Sequence, residues 1–154
     1  KIMILVVGAS GNLGRVVTKK LLEKELPVRA MSRKIKKLEK LELSGAEFVQ
    51  GDLLYSQSLQ AACSDVSAVV ASAHSLLGRG IESSKHVDYQ GHIDLIDAAK
   101  KNGVQQFIYI SVEPHLKDHV AFAMYKYKVE EYLKSVGLKF GKWQDVGIWQ
   151  LNLS

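Results

Sequence analysis

Two rhythms of apolar residues alternate along this chain. Ile2 to Val7 is an unbroken apolar run, and shorter strand-like stretches follow at Val28 to Ser32, Glu47 to Gln50, Ala68 to Ser72 and Gln106 to Ile110. Between them the apolar positions recur every three or four residues, which predicts helices. The first runs to about Glu25, with Pro27 marking the turn after it. The second covers Ile35 to Leu43 and is ended by Gly45. A short helix carries Leu59 to Cys63, with Ser56 or Ser58 as its cap. A long one spans Lys85 to Lys101 and stops at Asn102-Gly103, and another spans Phe122 to Ser135. The last turns its inner side through Phe122, Tyr125, Val129, Tyr132, Leu133 and Val136. Leu138 to Trp143 reads as a sixth strand.

Short apolar strands separated by amphipathic helices require right-handed crossovers and a parallel sheet covered on both faces. The expected fold is therefore α/β, a doubly wound parallel sheet in three layers, α/β/α, the Rossmann arrangement. No repeat, linker or low-complexity stretch divides residues 1–154, so a single domain is expected.

Chemistry enters at the first crossover. The apolar run ends at Gly8, and Gly11 and Gly14 follow before the helix begins. Gly8 permits the tight turn, Gly11 lets a ligand approach the backbone, and Gly14 lets the helix sit against the strand. The amides around Asn12 and Leu13 then point into the turn. With the positive end of the helix dipole they favour an anion such as a pyrophosphate. A purely structural glycine turn is the alternative. In a doubly wound sheet the ligand lies beyond the carboxyl ends of the strands. There the second strand ends in Ser32-Arg33-Lys34, a basic pair suited to the 2′-phosphate of NADP, where NAD would call for an acidic residue. The same pair could simply open a charged helix. Asp52, after the third strand, could accept from an adenine amino group or serve as a turn residue.

Composition changes this picture little. Of 154 residues, 47% are hydrophobic and 24% charged, ordinary for a soluble domain with a real core. The net charge of +5 raises the question of nucleic acid. Arg33, Lys34, Lys36, Lys37 and Lys40, however, alternate with Ile35, Leu38 and Leu41 as on a solvated helix face, without interleaved aromatics, so no nucleic-acid partner is expected. The N-terminal apolar run is too short for a membrane span and has no small-residue cleavage site. With a single cysteine, Cys63, a reducing, cytoplasmic setting without membrane contact is expected. The five histidines, including His115 and His119, form no convincing metal set, so no metal is expected.

Five ordered motifs, Gly8-Ala-Ser-Gly-Asn-Leu-Gly14, Ser32-Arg33, Gly51-Asp-Leu53, Val87-Asp-Tyr-Gln-Gly91 and Phe107-Ile-Tyr-Ile-Ser111, together resemble the NmrA-like branch of the atypical short-chain dehydrogenase/reductases. The resemblance covers residues 1–140, and residues 141–154 diverge. It implies that Gly8, Ser10, Gly11, Asn12, Leu13 and Gly14 line the diphosphate and that Arg33 and Lys34 face the adenosine phosphate. Asp52 and Leu53 would border the adenine, and Ala71, Ser72, Ala73 and His74 would pass under the nicotinamide-side ribose. Short-chain reductases carry a Tyr-x-x-x-Lys pair on the helix after the fifth strand, in which lysine binds the ribose and lowers the tyrosine pKa. Lys128 is the matching lysine in this reading, and Met124 stands where the tyrosine would be. Tyr125 and Tyr127 point elsewhere on the helix. Ser111, at the end of the fifth strand, could face a substrate or be structural.

The resemblance further implies NADPH-dependent transfer of hydride to a quinone or other small acceptor. Its alternative is a non-catalytic NADP(H)-binding redox sensor acting through a protein partner. The Arg-Pro pair that the family places after the sixth strand is missing, so a reduced substrate lid is expected. Apolar residues near Trp143, Ile148 and Trp149 would then be covered by a partner or a second copy.

Overall fold

The computed structural model describes residues 2–73, 83, 85–111 and 121–140, with side chains to residue 136. Five strands, β1 (Ile4–Val7), β2 (Val28–Ser32), β3 (Glu47–Gln50), β4 (Ala68–Ala71) and β5 (Gln106–Tyr109), form one sheet. Its order is β3-β2-β1-β4-β5 and every pairing is parallel. The helices are α1 (Asn12–Glu23), α2 (Ile35–Glu39), α3 (Ser56–Ala62), α4 (His92–Lys101) and α5 (Ala121–Phe140), and a π-helical segment, Lys85–Gly91, leads into α4.

Alternation along the strands builds the layers. Leu5, Val7, Met31, Val69 and Ala71 pack with Leu59 and Ala62 of α3 and with Leu95, Ala98 and Ala99 of α4. Ile4, Val6, Val28, Ala30, Ala68 and Val70 point the other way, toward Val17 and Leu21 of α1 and Leu38 of α2. Since β1 and β4 are buried on both faces, they read as continuous apolar runs. A third cluster, Ile96 with Val129, Leu133 and Val136, joins α4 to α5. The Rossmann-like α/β fold expected from the pattern is thus the fold observed.

Four expectations change in detail. α2 stops at Glu39, because Glu42 turns left-handed at φ 51° and ends the regular run. Neither Ser56 nor Ser58 caps α3 with its side chain. Ser58 instead accepts from the Asp52 amide at 3.0 Å and lies 2.7 Å from the Tyr55 carbonyl, knotting the loop before the helix. The first two turns of the expected Lys85–Lys101 helix are wound as a π-helix. Finally, α5 runs through Phe140, so residues 138–140 of the expected sixth strand are helical; Gly137, with no proline behind it, is a weak stop. The rest of that strand, residues 141–143, lies outside the described residues, as do His74, His115, His119, Trp143, Ile148 and Trp149.

Arg29 on β2 ties these elements together. It donates to Glu47 at 2.8 Å and to the carbonyls of Ala62 and Ser64, at the end of α3, at 2.8 and 2.6 Å. Replacing it with methionine keeps the stem and removes the donors. The expected loss is about 1–2 kcal/mol, read from the urea midpoint.

Candidate functional site

Strand order locates the site. The chain moves outward from β1 through β2 to β3, then crosses back to place β4 on the other side of β1. This reversal opens a crevice between the carboxyl ends of β1 and β4, at Val7 and Ala71, which are register partners.

The glycine turn forms the floor of that crevice. Gly8 has φ +78°, and a Cβ there would lie 2.8 Å from the Ala73 nitrogen, so the turn touches the end of β4. A Cβ on Gly14 would overlap the Gly8 carbonyl and come within 2.9 Å of the Ala9 Cα, so α1 presses its backbone on the turn. Gly11, by contrast, is exposed, and its nearest neighbour for such an atom is the Gly8 oxygen at 3.3 Å. Gly14 and Gly8 are therefore packing glycines, whereas Gly11 leaves the mouth open. It is also the N-cap of α1, with no side-chain cap and no acidic residue in the first turn. Asn12 and Leu13 are exposed beside it. An uncapped, uncrowded helix start is chemically fit to receive a diphosphate.

Side chains around the turn hold its shape. Ser10 and Ser32 share a hydroxyl hydrogen bond of 3.0 Å, which fastens the loop to the end of β2. Arg33 and Lys34 follow, both exposed. Ser72 donates to the Val7 carbonyl at 2.8 Å, locking the ends of β1 and β4 together. Ala71 is buried and Ala73 half-buried beneath the turn. On the far side, Oδ1 of Asp52 accepts from the Leu54 amide at 2.9 Å, the turn chemistry that was one of its two readings. Leu53 is buried in the core cluster under α3 and α4.

Two lysines of α5 stand in sharply different settings. Lys128 is exposed, its Nζ lying 5.8 and 5.7 Å from the stacked rings of Tyr89 and Tyr125. Lys126 instead is 4% exposed and donates to the Ile110 carbonyl at 3.0 Å, just beyond β5. Its Nζ lies 4.9 Å from the Tyr109 ring centroid and 5.5 Å from that of Phe122. Burial pulls its pKa down to about 8, against the opposing pull of Asp88. Phe122 stands four residues before Lys126, as Met124 stands four before Lys128. The signal was present in the sequence: Ala123, Lys126, Val129, Leu133 and Val136 form one buried stripe. A lysine in phase with the apolar stripe is the one driven inward.

Ser111 donates to Glu130 on α5 at 3.2 Å. Glu130 in turn pairs with Lys134 at 3.3 Å. The Tyr109 hydroxyl is buried and has no hydrogen-bond partner among the described residues. Burial, then Asp88 and Glu130, raise its pKa far above the usual phenol range. Among the described residues there is no group of three or more His, Cys, Asp or Glu able to hold a metal ion. No helix there is long and apolar enough to cross a membrane.

A parallel sheet with this switch point, glycine turn and lysine-bearing helix defines a Rossmann-like protein of the short-chain dehydrogenase/reductase kind. Two solved structures share it. One is a short-chain dehydrogenase/reductase superfamily protein from Agrobacterium tumefaciens with bound NAD, with a TM-score of 0.73 and 25% identity, over 87% of this chain and 44% of that one. The other is an NADPH-dependent quinone oxidoreductase from Escherichia coli complexed with NADPH, with a TM-score of 0.70 and 26% identity, over 88% and 46%. The chain belongs to the NmrA-like family, whose pattern matches residues 1–143. The photosystem II assembly factor Ycf39 of Guillardia theta is 29% identical over 96% of this chain and 47% of its own length. The chain thus spans about half the length of the curated relatives it matches.

Proposed function

We propose that the chain binds NADP(H) across the β1–β4 crevice and serves a reductase that delivers hydride to a quinone or other small acceptor. The observation that carries this reading is the uncapped start of α1 at Gly11, beside a basic pair at the end of β2. In the proposed complex the amides of Asn12 and Leu13 hold the diphosphate, and Gly8, Ser10, Gly11 and Gly14 shape the loop around it. Arg33 and Lys34 hold the 2′-phosphate, which Arg33 can grip with two parallel hydrogen bonds. The asymmetry of charge supports the choice of NADP over NAD. Residues 12–42 carry ten Lys and Arg against four Asp and Glu, so this region alone holds +6 in a chain of net +5. That field favours the more anionic coenzyme. Asp52 and Leu53 would border the adenine, with Leu54 holding one oxygen of the Asp52 carboxylate. Ala71, Ser72, Ala73 and His74 would run beneath the nicotinamide-side ribose.

When bound, the nicotinamide supplies the hydride. The chain supplies orientation: the Lys126 ammonium, anchored on the Ile110 carbonyl, can turn its remaining protons toward the ribose. Lys128 is exposed against Tyr89 and Tyr125, and Ser111 is held by Glu130. Phe122 offers no proton, which suits an acceptor such as a quinone that does not need a strong protein acid.

The same phenylalanine favours a second reading, a non-catalytic NADP(H) sensor acting through a protein partner. A relative named as an assembly factor supports it as well. Titration with NADPH and NADH, followed by cofactor fluorescence, tests the shared premise. NADPH is expected to bind at least tenfold tighter, and Arg33→Ala is expected to remove most of that preference while leaving NADH within twofold. Acceptor-dependent NADPH consumption by the pure protein supports the reductase. Tight binding without consumption supports the sensor, and equal affinity for both coenzymes contradicts the role given to Arg33 and Lys34.

A further inference from the structure

Three loops meet at the carboxyl ends of β1, β2 and β3, and Ser32 bonds to each of them. Its main-chain carbonyl accepts from the Gly51 amide, just after β3, at 3.1 Å. Its hydroxyl lies 3.0 Å from that of Ser10 in the glycine turn and accepts from the Lys34 amide at 3.3 Å. The residue is 6% exposed. A serine oxygen that accepts from the amide two residues on curls the chain between them, here at Arg33. From the other side, Nε2 of Gln50 donates to the Arg33 carbonyl at 3.2 Å. The backbone that carries the basic pair is therefore held from two directions, and one of the two holds is the hydroxyl that also fastens the glycine turn.

We propose that the Ser10–Ser32 hydroxyl pair couples the glycine turn to the basic pair: Ser32 is a positioning residue for Arg33 and Lys34, and Ser10 holds Ser32 in place. A serine hydroxyl has one proton to give and two lone pairs to offer. Lys34 occupies one lone pair of Ser32, and Ser10 occupies either the proton or the second lone pair. The hydroxyl is thus already engaged on both loops. A serine acting only by touching a ligand would need no partner in the glycine turn. What the arrangement supplies is preorganisation. Arg33 and Lys34 are exposed and lose conformational freedom when they grip a phosphate, and a backbone already curled loses less. A change at Ser10, in the loop that faces the diphosphate, is therefore felt as a change in selectivity for the 2′-phosphate. For its ligand this inference rests on the NADP(H) reading; the bridge itself is a property of the free chain.

Titration of the full chain with NADPH and NADH reads the coupling as the ratio of two affinities, which a general loss of stability leaves unchanged. Ser32→Ala is expected to lower the preference for NADPH about fivefold, as for the loss of one part-buried hydrogen bond. Ser32→Thr, which keeps the hydroxyl, should restore it to within about twofold of wild type. Ser10→Ala is expected to lower the same preference at least threefold, although Ser10 belongs to the other loop. The double variant Ser10→Ala/Ser32→Ala should be no worse than Ser32→Ala, because both residues act through one bond. A preference unchanged in Ser32→Ala overturns the proposal. So does a preference lost in Ser32→Ala yet intact in Ser10→Ala, which would assign Ser32 a direct contact with the phosphate. Hydrogen exchange in the free chain is the second arm. The Lys34 amide is expected to exchange at least threefold faster in Ser32→Ala and in Ser10→Ala, while the Gly51 amide, bonded to the Ser32 main chain, keeps its wild-type rate. Equal acceleration of both amides marks a loosened strand end and overturns the coupling. Should wild type bind NADPH no tighter than NADH, the NADP reading fails while Lys34 exchange still decides the bridge. Where Ser32→Ala does not fold, Ser10→Ala, at a half-buried position, carries both arms.

Discussion

Gly14→Ala is expected to cost about 3 kcal/mol of stability, which lowers the melting temperature by roughly 6–12 °C in a chain of this size. The added methyl would overlap the Gly8 carbonyl and approach the Gly8 carbon at 2.7 Å and the Ala9 Cα at 2.9 Å. All three are main-chain atoms of the turn, so none can rotate away as a side chain would. Either α1 lifts off the turn or the turn itself deforms. Lifting α1 would also uncover Thr18, which is fully buried on the same helix. Gly11→Ala is the informative contrast. Its methyl would stand 3.3 Å from the Gly8 oxygen and otherwise in open space, so the expected stability loss is under about 1 kcal/mol. It stands, however, where the proposed diphosphate would approach, and NADPH affinity is expected to fall at least tenfold. Thermal melts and fluorescence titrations of both variants check the pair. A Gly14→Ala protein as stable as wild type would contradict the packing role, and full NADPH affinity in Gly11→Ala would show that the diphosphate lies elsewhere.

The tight turn at Gly8 and the close packing at Gly14 were legible in the sequence, because both follow from where a strand ends and a helix begins. The order of strands and helices was legible for the same reason: β1 and β4 are buried on both faces, which leaves an unmistakable apolar run. Residues whose position depends on the winding of a helix were harder to see. Nothing in Lys85-His-Val-Asp-Tyr-Gln-Gly91 announces π geometry, and Gly91 at its end packs tightly on Leu53, far away in sequence. Nothing in the apolar pattern marked Asp88 for burial, yet it is fully buried. Lys126 was overlooked for a different reason. Charge argues for the surface, and only the phase it shares with Ala123 and Val129 argues against it. Motif spacing could not choose, since Phe122 and Met124 both stand four residues before a lysine. Helical phase could.

That phase makes the exchange of lysines the sharpest test of the site. Lys126→Met is expected to weaken NADPH binding at least tenfold and to reduce any acceptor-dependent turnover about a hundredfold, while Lys128→Met changes either by less than twofold. Lys128 rests on the exposed side of α5 against Tyr89 and Tyr125, whereas Lys126 reaches the carbonyl after β5. A stability measurement shows independently that Lys126 is the buried lysine. Its folded pKa, near 8, lies below the unfolded value of 10.5. Below pH 8 both states carry the proton, and the folded state bears the full desolvation penalty. Between pH 8 and 10.5 the unfolded chain holds a proton that the folded chain has released, so stability rises with pH. Wild type is therefore expected to gain about 2 kcal/mol relative to Lys126→Met between pH 7 and pH 10. Cys63, pushed up to about 11 by burial, and Tyr109, raised higher still, bring a loss of stability over the alkaline part of this range and beyond it. The Cys63 contribution is common to both proteins and cancels in the difference, and the Tyr109 contribution falls mainly above this range. Urea midpoints of wild type and Lys126→Met that move in parallel with pH would place the ammonium in water and return the question to Lys128.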